Sequence, residues 1–374
     1  MTKIAVFAGS YDAFKVPEAK QIAPHAIAID MAEGLQELGC QVDFYGPKGT
    51  SPLRVNQIID LDIQPIYQGQ LEKDIQKLPP DRIQRVQTET WIMQDILFLH
   101  QIYEKAARGE YDVVVQHGLE RGLSVANMFP QVKTLYILHD PYRDWKQFLN
   151  NYNHPNLFYV PISHFQQRKY QTYLPSLNYT EVCYNGIDTD QFQFNSKPEH
   201  DLLVFAGRIT VEKGPHLAVQ TALRTNRKLI LAGSIQGEKN QNYFDQEIKP
   251  YLNQKIKYLG EASRSDVVNI MSRAEVLLAP IQNDEPFGLT LAEAQACGTP
   301  VITFPRGAAP EIVQDGISGF IVSSLDEMVE SVRRIKNIDR KVCRQNIMDR
   351  FDLKSMNRGY LQAIELISQP INKS

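Results

Sequence analysis

The sequence predicts two doubly wound α/β domains facing each other across a cleft, each a parallel sheet with helices on both faces. Three observations carry that expectation. Short apolar, β-branched runs alternate with longer segments of helical periodicity through most of the chain. The runs are nearly continuous in apolar residues rather than alternating, as in strands buried on both faces. The rhythm also runs twice in 374 residues, a length suited to two domains that each bury a core.

Taken in order, the first series has strands at Ile4–Ala8, Gln41–Tyr45, Asp112–Gln116, Thr134–Leu138, Leu157–Pro161 and Thr180–Cys183. A helix over Ile22–Leu38 spaces Ile22, Ala26, Ile29, Ala32 and Leu35 along one face and stops at Gly39. A longer polar helix, Asp81–Arg108, carries Ile83, Val86, Ile96, Leu97, Tyr103 and Ala106. Ser163-His164-Phe165-Gln166 has capping-box spacing and opens another helix. The second series places strands at Leu202–Ala206, Lys228–Ala232, Ile256–Leu259, Val276–Ala279, Val301–Phe304 and Phe320–Val322. Between the series, Asn185–His200 is polar and turn-rich and reads as a linker. The expected domains are therefore 1–184 and 185–352, with a last helix, Leu353–Ser368, able to reach back from 353–374 onto the first domain.

Composition narrows the function. Forty basic against 43 acidic residues leave a net charge of -3, which argues against a nucleic-acid binder with its basic excess. No apolar run approaches the roughly 18 residues of a membrane-crossing helix. Met1–Gly9 reads as a first strand rather than a signal peptide. Cys40, Cys183, Cys297 and Cys343 are scattered, which fits neither a zinc site nor a disulfide framework and favours a reduced, cytoplasmic compartment. There is no G-x-G-x-x-G after the first strand, no Walker A sequence, no H-E-x-x-H and no G-x-S-x-G elbow.

In such folds ligands bind beyond the carboxyl ends of the strands. The richest loop there is Pro280–Gly288, which runs through Glu285-Pro286-Phe287-Gly288 into Leu289, Thr290 and a helix holding Glu293. Free N–H groups at a helix start favour a phosphate, and Gly288 lets a ligand approach the backbone. Singly, Glu285 reads as a helix-start charge and Glu293 as a surface residue. With Pro-Phe-Gly between them after an apolar strand, a hydroxyl-binding pair is the better reading. A second loop, Gly207-Arg208-Ile209-Thr210-Val211-Glu212-Lys213-Gly214, sets an arginine fork and a lysine where two phosphates could be neutralised. Its alternative is a solvated loop with Glu212 pairing one cation. In the first half, His139 and Asp140 follow an apolar strand. His139 ranks ahead of His117 and His25, although a histidine at a strand end is more often structural.

These residues resemble glycosyltransferase family 4. Gly207-Arg208 with Glu212-Lys213-Gly214, Glu285-Pro286-Phe287-Gly288 with Glu293, Asn185-Gly186-Ile187-Asp188, Ala296-Cys297-Gly298-Thr299-Pro300-Val301 and Asp315-Gly316-Ile317-Ser318-Gly319-Phe320 carry the likeness. It is strongest from about Val182 to Val322. The resemblance implies a GT-B fold and retaining transfer of a hexosyl group from a nucleoside diphosphate sugar, a UDP- or GDP-sugar, to a hydroxyl acceptor. No metal or other cofactor is implied. By the same likeness Arg208 and Lys213 neutralise the diphosphate, and Glu285 holds the sugar with Gly288, Leu289 and their neighbours Phe287 and Thr290. Glu293 takes the ribose, His139 sits near the transferred sugar, and Gly9 and Gly207 approach the phosphates. The base packs between the loops at Gly233–Ser234 and Gly260–Ala262. Tyr11, His117 and Asp140 fall on the acceptor side. The first loop departs from the family pattern, with Gly9-Ser10-Tyr11-Asp12 where many relatives carry paired glycines, and this points to an acceptor loop of its own kind.

With no evident carboxylate nucleophile, a same-face displacement is expected over a covalent intermediate. The rivals are a sugar-nucleotide epimerase or other GT-B chemistry, which would convert donor without acceptor, and a non-catalytic sugar-nucleotide binder. The acceptor is a small molecule, a glycan or a lipid. Arg168-Lys169 beside Phe165, Tyr170 and Tyr173 could form a basic amphipathic patch for peripheral membrane contact, but an ordinary surface helix is the favoured reading given the acidic balance.

Overall fold

The computed structural model describes residues 1–10, 13–14, 23–67, 69–118 and 120–368. The chain divides into two units. The first is Met1–Ile162, Gln167–Tyr184 and Met356–Ser374, and the second is Ser163–Gln166 with Asn185–Ser355.

The first unit holds β1 (Lys3–Phe7), α1 (Ala23–Glu37), β2 (Gln41–Tyr45), β3 (Gln57–Ile59), α2 (Gly69–Ile75), α3 (Pro80–Ala107), β4 (Val113–His117), α4 (Glu120–Met128), β5 (Thr134–Leu138), β6 (Leu157–Pro161) and most of α5 (His164–Tyr173). Its strands form one sheet in the order β3-β2-β1-β4-β5-β6, every pair parallel. Phe7, Tyr45, Phe98, Leu99, Ile102, Tyr103 and Val114 fill one side of it.

The second unit holds β7 (Leu202–Ala206), α6 (Pro215–Thr225), β8 (Lys228–Ala232), α7 (Glu238–Glu247), β9 (Ile256–Tyr258), α8 (Arg264–Arg273), β10 (Val276–Ala279), α9 (Leu289–Ala296), β11 (Val301–Thr303), α10 (Ala309–Ile312), β12 (Gly319–Ile321), α11 (Leu325–Arg334) and α12 (Arg340–Arg350). The last helix, α13 (Leu353–Ser368), starts there and continues into the first unit. The second sheet is again all parallel, ordered β12-β11-β10-β7-β8-β9. Both sheets therefore share one topology, with the strand order reversing between β1 and β4 and between β7 and β10. Ligands of such sheets bind at that reversal.

Three local expectations need correction. Thr180–Cys183 is no strand. It follows β6 through Thr180 N–H to Tyr159 O and Cys183 N–H to Pro161 O, with a single bridge at Tyr179. The true edge strand, β3, is three half-buried or exposed residues long and lacks the apolar run that marks the others. On α3 the buried face is Phe98, Leu99, Ile102 and Tyr103, while Ile96 and Leu97 are exposed. The Asn185–His200 segment is fastened to the rest of the second unit. Arg344 donates to Thr189 O and Phe192 O, Arg340 donates to Asn195 O, and Ile187 N–H donates to Phe351 O.

Among the described residues no helix is long and apolar enough to cross a membrane. The amphipathic patch on α5 is also depleted. Tyr170 is fully buried, and Tyr173 stacks on Tyr142 at 4.5 Å with Lys169 over its ring. All four cysteines are buried free thiols.

Candidate functional site

In the second unit the loops after β7 and β10 flank the strand reversal and are tied together. Gln282 N–H donates to Glu212 O at 2.8 Å, and its side-chain amide donates to Val211 O at 2.7 Å. Gly214 joins the first loop to α6 with φ at 71°, and a Cβ there would lie 2.3 Å from Pro280 O. Only glycine combines that backbone twist with so close an approach.

Arg208, Lys213, Glu285, Gly288, Leu289, Thr290 and Glu293, all expected at the site, lie on these two loops and the helix that follows. Lys213 Nζ and the Glu285 carboxylate form a close ion pair, both side chains mostly shielded from solvent. The Glu285 backbone is fixed from the next loop by Ala308 N–H. Arg208 is exposed, and among the described residues no carboxylate lies within ion-pair distance of it. Gly288 caps α9 in the left-handed region at φ 95°, so the N–H groups of Leu289 and Thr290 open the helix without intrahelical acceptors. Glu293 stands one turn further in, where burial pushes its carboxyl pKa up against the opposing pull of Arg264. A cationic pocket edge, a helix start and two carboxylates of different depth thus share one sheet end.

Phe287 does something else. Its ring is buried and packs edge-on against Phe351 at 5.7 Å, so it anchors the loop from beneath. The loops at Gly207, Gly233 and Gly260 are stitched in series, Gly207 N–H to Ala232 O and Gly233 N–H to Gly260 O, both at 2.9 Å.

In the first unit Gly9 follows β1 with φ at 116°. Tyr11 lies outside the described residues. The neighbouring Ser10 is fully buried, and its hydroxyl donates to Asp95 Oδ1 at 2.6 Å. Asp95, buried on α3, also takes Arg121 Nε at 2.6 Å, and the Arg121 guanidinium lies 4.0 Å over Trp91. Burial raises the Asp95 pKa, and Arg121 is the main charge holding it down. Sequence reasoning missed this cluster. Its one signal is an acid at a position whose helical neighbours, Phe98 and Leu99, face the core.

His139 and His117 form a pair, Nε2 to Nδ1 at 3.0 Å with rings stacked 19° apart. One nitrogen donates and the other accepts, so the contact requires at least one neutral ring. Burial holds His139 down to about 3 and His25 to about 4, and puts His117 well below the ordinary imidazole value. Asp140 is exposed and faces the buried Lys146, whose ammonium donates to Glu120 at 2.7 Å and lies 3.6 Å from Asp140.

The histidines predict a pH effect. An imidazole whose pKa falls on folding holds fewer protons than in the unfolded chain, so stability is full above about 6.5 and is lost as pH falls below it. His139 and His25 continue that loss down to about 3 and about 4. Each contributes a slope of up to about 1.4 kcal/mol per pH unit. Both tryptophans, Trp91 and Trp145, lie in the first unit, so their fluorescence during denaturant unfolding reports on it. His139→Gln is expected to flatten the slope between pH 6.5 and 4. A variant that tracks the wild type would show that the pair does not titrate on unfolding.

Comparison with known proteins fits this geometry. Residues 186–348, which lie in the second unit, match the family model described as glycosyl transferases group 1. A D-inositol 3-phosphate glycosyltransferase of Mycobacterium sp. (strain KMS) is 28% identical over 160 residues, 39% of this chain and 36% of that protein. A probable sucrose-phosphate synthase of Thermosipho melanesiensis is 26% identical over 200 residues, 51% of this chain and 46% of that protein. The match thus spans less than half the length of these relatives. Among solved structures, sucrose-phosphate synthase of Thermosynechococcus elongatus superposes with TM-score 0.73 at 15% identity, covering 98% of this chain and 99% of that one. Anabaena HepE in complex with UDP-glucose gives 0.67 at 16% identity, over 98% and 100%. At such identities the likeness shows the fold, which is GT-B.

Proposed function

We propose that this chain is a retaining, metal-independent hexosyltransferase that moves a sugar from a UDP- or GDP-sugar to a hydroxyl acceptor in the cytoplasm. The observation that carries this reading is the convergence of Arg208, the Lys213–Glu285 pair, the Gly288-led start of α9 and Glu293 around the β7/β10 strand reversal. The family match over 186–348 covers the same loops.

In this reading Arg208, Lys213 and the α9 N–H groups take the diphosphate charge as it develops, a preorganised electrostatic stabilisation. Phosphate shares the lysine of the Lys213–Glu285 pair, and sugar hydroxyls share its glutamate. Glu293 receives the ribose hydroxyls. The bond from the anomeric carbon to the phosphate oxygen breaks, its electron pair leaving with the diphosphate. The acceptor oxygen bonds to the same face, and its proton passes to the departing diphosphate. His139 works as a neutral hydrogen-bonding ring beside the sugar, because burial and His25 oppose its protonation. Gly9 brings the first loop close to the phosphates, and Tyr11, His117 and Asp140 belong to the acceptor side.

The test is a thermal-shift screen with UDP, GDP and ADP, since a ligand at a hundred times its Kd stabilises by about 2.7 kcal/mol. At least one diphosphate is expected to raise the melting temperature by a few degrees. No response to any of them at millimolar concentration would remove the donor site. The HepE complex puts UDP first in the screen. Turnover of the matching sugar donor in excess EDTA then tests metal independence, and the anomeric configuration of the product by NMR tests retention.

A further inference from the structure

We propose that Arg264 is a positioning residue that gives the site its preference for ribose over deoxyribose, by holding the Glu293 carboxylate charged with both oxygens open to the 2′- and 3′-hydroxyls. The proposal rests on the nucleoside diphosphate reading above and names a residue that the motifs did not mark.

Glu293 has one charged neighbour across from its own helix, Arg264 on α8, with Nη2 3.8 Å from Oε1. That separation suits an ion pair and is too long for a hydrogen bond. Among the described residues, none hydrogen-bonds the Glu293 carboxylate. Arg264 therefore offsets the charge of a largely buried acid without itself hydrogen-bonding to it. Glu285 differs, since its lysine partner sits directly on the carboxylate. A carboxylate that is neutralised at a distance and otherwise bare suits a vicinal diol, which brings two O–H donors at once.

The arginine is itself held. Its guanidinium lies 5.4 Å from the centre of the Phe192 ring, and Phe192 is only 2% exposed. The Phe192 backbone is fixed by Arg344, whose Nη1 donates to Phe192 O at 2.8 Å. Ser263 caps α8 just before Arg264 by accepting Asp266 N–H, and α8 packs directly on α9 through Cys297 Sγ and Val268 O. A planar guanidinium stacked on a fixed ring keeps its direction better than a flexible ammonium would. More than half of the arginine side chain is solvent-exposed, so its substitution leaves no buried cavity.

Isothermal titration of the full chain with UDP and 2′-deoxy-UDP, and with GDP and 2′-deoxy-GDP, tests the idea. Wild type is expected to prefer the ribose form about tenfold or more, the worth of one charge-assisted hydrogen bond. Glu293→Gln should abolish that preference. Arg264→Gln should cut it to within about threefold while leaving the ratio of diphosphate to monophosphate affinity unchanged. Arg264→Lys, which keeps a cation within reach, should recover most of it. An Arg264→Gln protein with the wild-type preference, or one that loses ribose and deoxyribose forms equally, would overturn the proposal. If Glu293→Gln keeps the preference, or if neither UDP nor GDP binds wild type, the donor-site reading fails and takes the proposal with it.

Discussion

Arg208→Ala is expected to lower kcat/KM for sugar transfer by about a hundredfold or more, the usual cost of removing one preorganised charge stabiliser. Arg208 is chosen over Lys213 because the two cations differ in what surrounds them. Lys213 is bound to Glu285, so deleting it also strands a shielded carboxylate and mixes two effects. Arg208 is exposed with no carboxylate at ion-pair distance among the described residues, and the one acid that feels its charge, Glu212, is itself exposed, so its removal strands no buried group. The thermal melt should stay at the wild-type value. If the guanidinium acts mainly on the leaving diphosphate, the loss appears in kcat as well as in kcat/KM. Arg208→Lys keeps the charge without the two-pronged donor and should restore only part of the rate. An alanine variant within about threefold of wild type would remove the role given to this residue.

The parts of the site that the sequence made legible are local in the chain. Glu285, Gly288 and Glu293 lie within nine residues on one strand–loop–helix, and Arg208 and Lys213 on one loop, so order and spacing revealed them. Contacts closed by topology were not legible. Lys213 and Glu285 are 72 positions apart, His117 and His139 are 22 apart, and their meeting follows from which strands lie side by side. Asp95 and Arg121 belong to helices that no motif marks, and Arg264 looks like any polar residue at a helix start.

The strands divide in the same way. The second sheet was read almost to the residue because its strands are apolar runs buried on both faces, such as Val276–Ala279. Gln57–Ile59 was missed because an exposed three-residue edge needs no such run. Thr180–Cys183 has the composition of a strand but only a single bridge at Tyr179 to β6. Phe287 shows the limit of motif reading most clearly. It sits inside the site's signature, yet its ring faces Phe351 and the core.

Arg340→Ala is expected to be among the most damaging substitutions for stability, and the reason is hydrogen bonding rather than charge pairing. Arg340 is 8% exposed and forms no ion pair among the described residues. Its guanidinium instead donates to Asn195 O, Ala274 O, Ser272 O and Thr299 Oγ1 at 2.6 to 2.9 Å. Burial lowers its pKa to about 10, still well above neutrality, so it stays charged at pH 7. Alanine would leave three carbonyls without their donors in a protein interior. At about 1–3 kcal/mol for each buried group left unsatisfied, partly relieved by entering water, the loss should be about 3 kcal/mol or more. The Asn195 bond also means that the segment after Tyr184 loses one of its fastenings to the second unit, with Arg344 keeping the others at Thr189 and Phe192. Neither tryptophan lies in this unit, so the measurement is scanning calorimetry. The transition of the second unit should move down by several degrees while the tryptophan-reported unfolding of the first does not. Arg340→Lys should recover only part of the difference, because one ammonium cannot reach all four acceptors. Arg340→Ala and wild type melting together would mean that the four contacts contribute nothing net to the folded state.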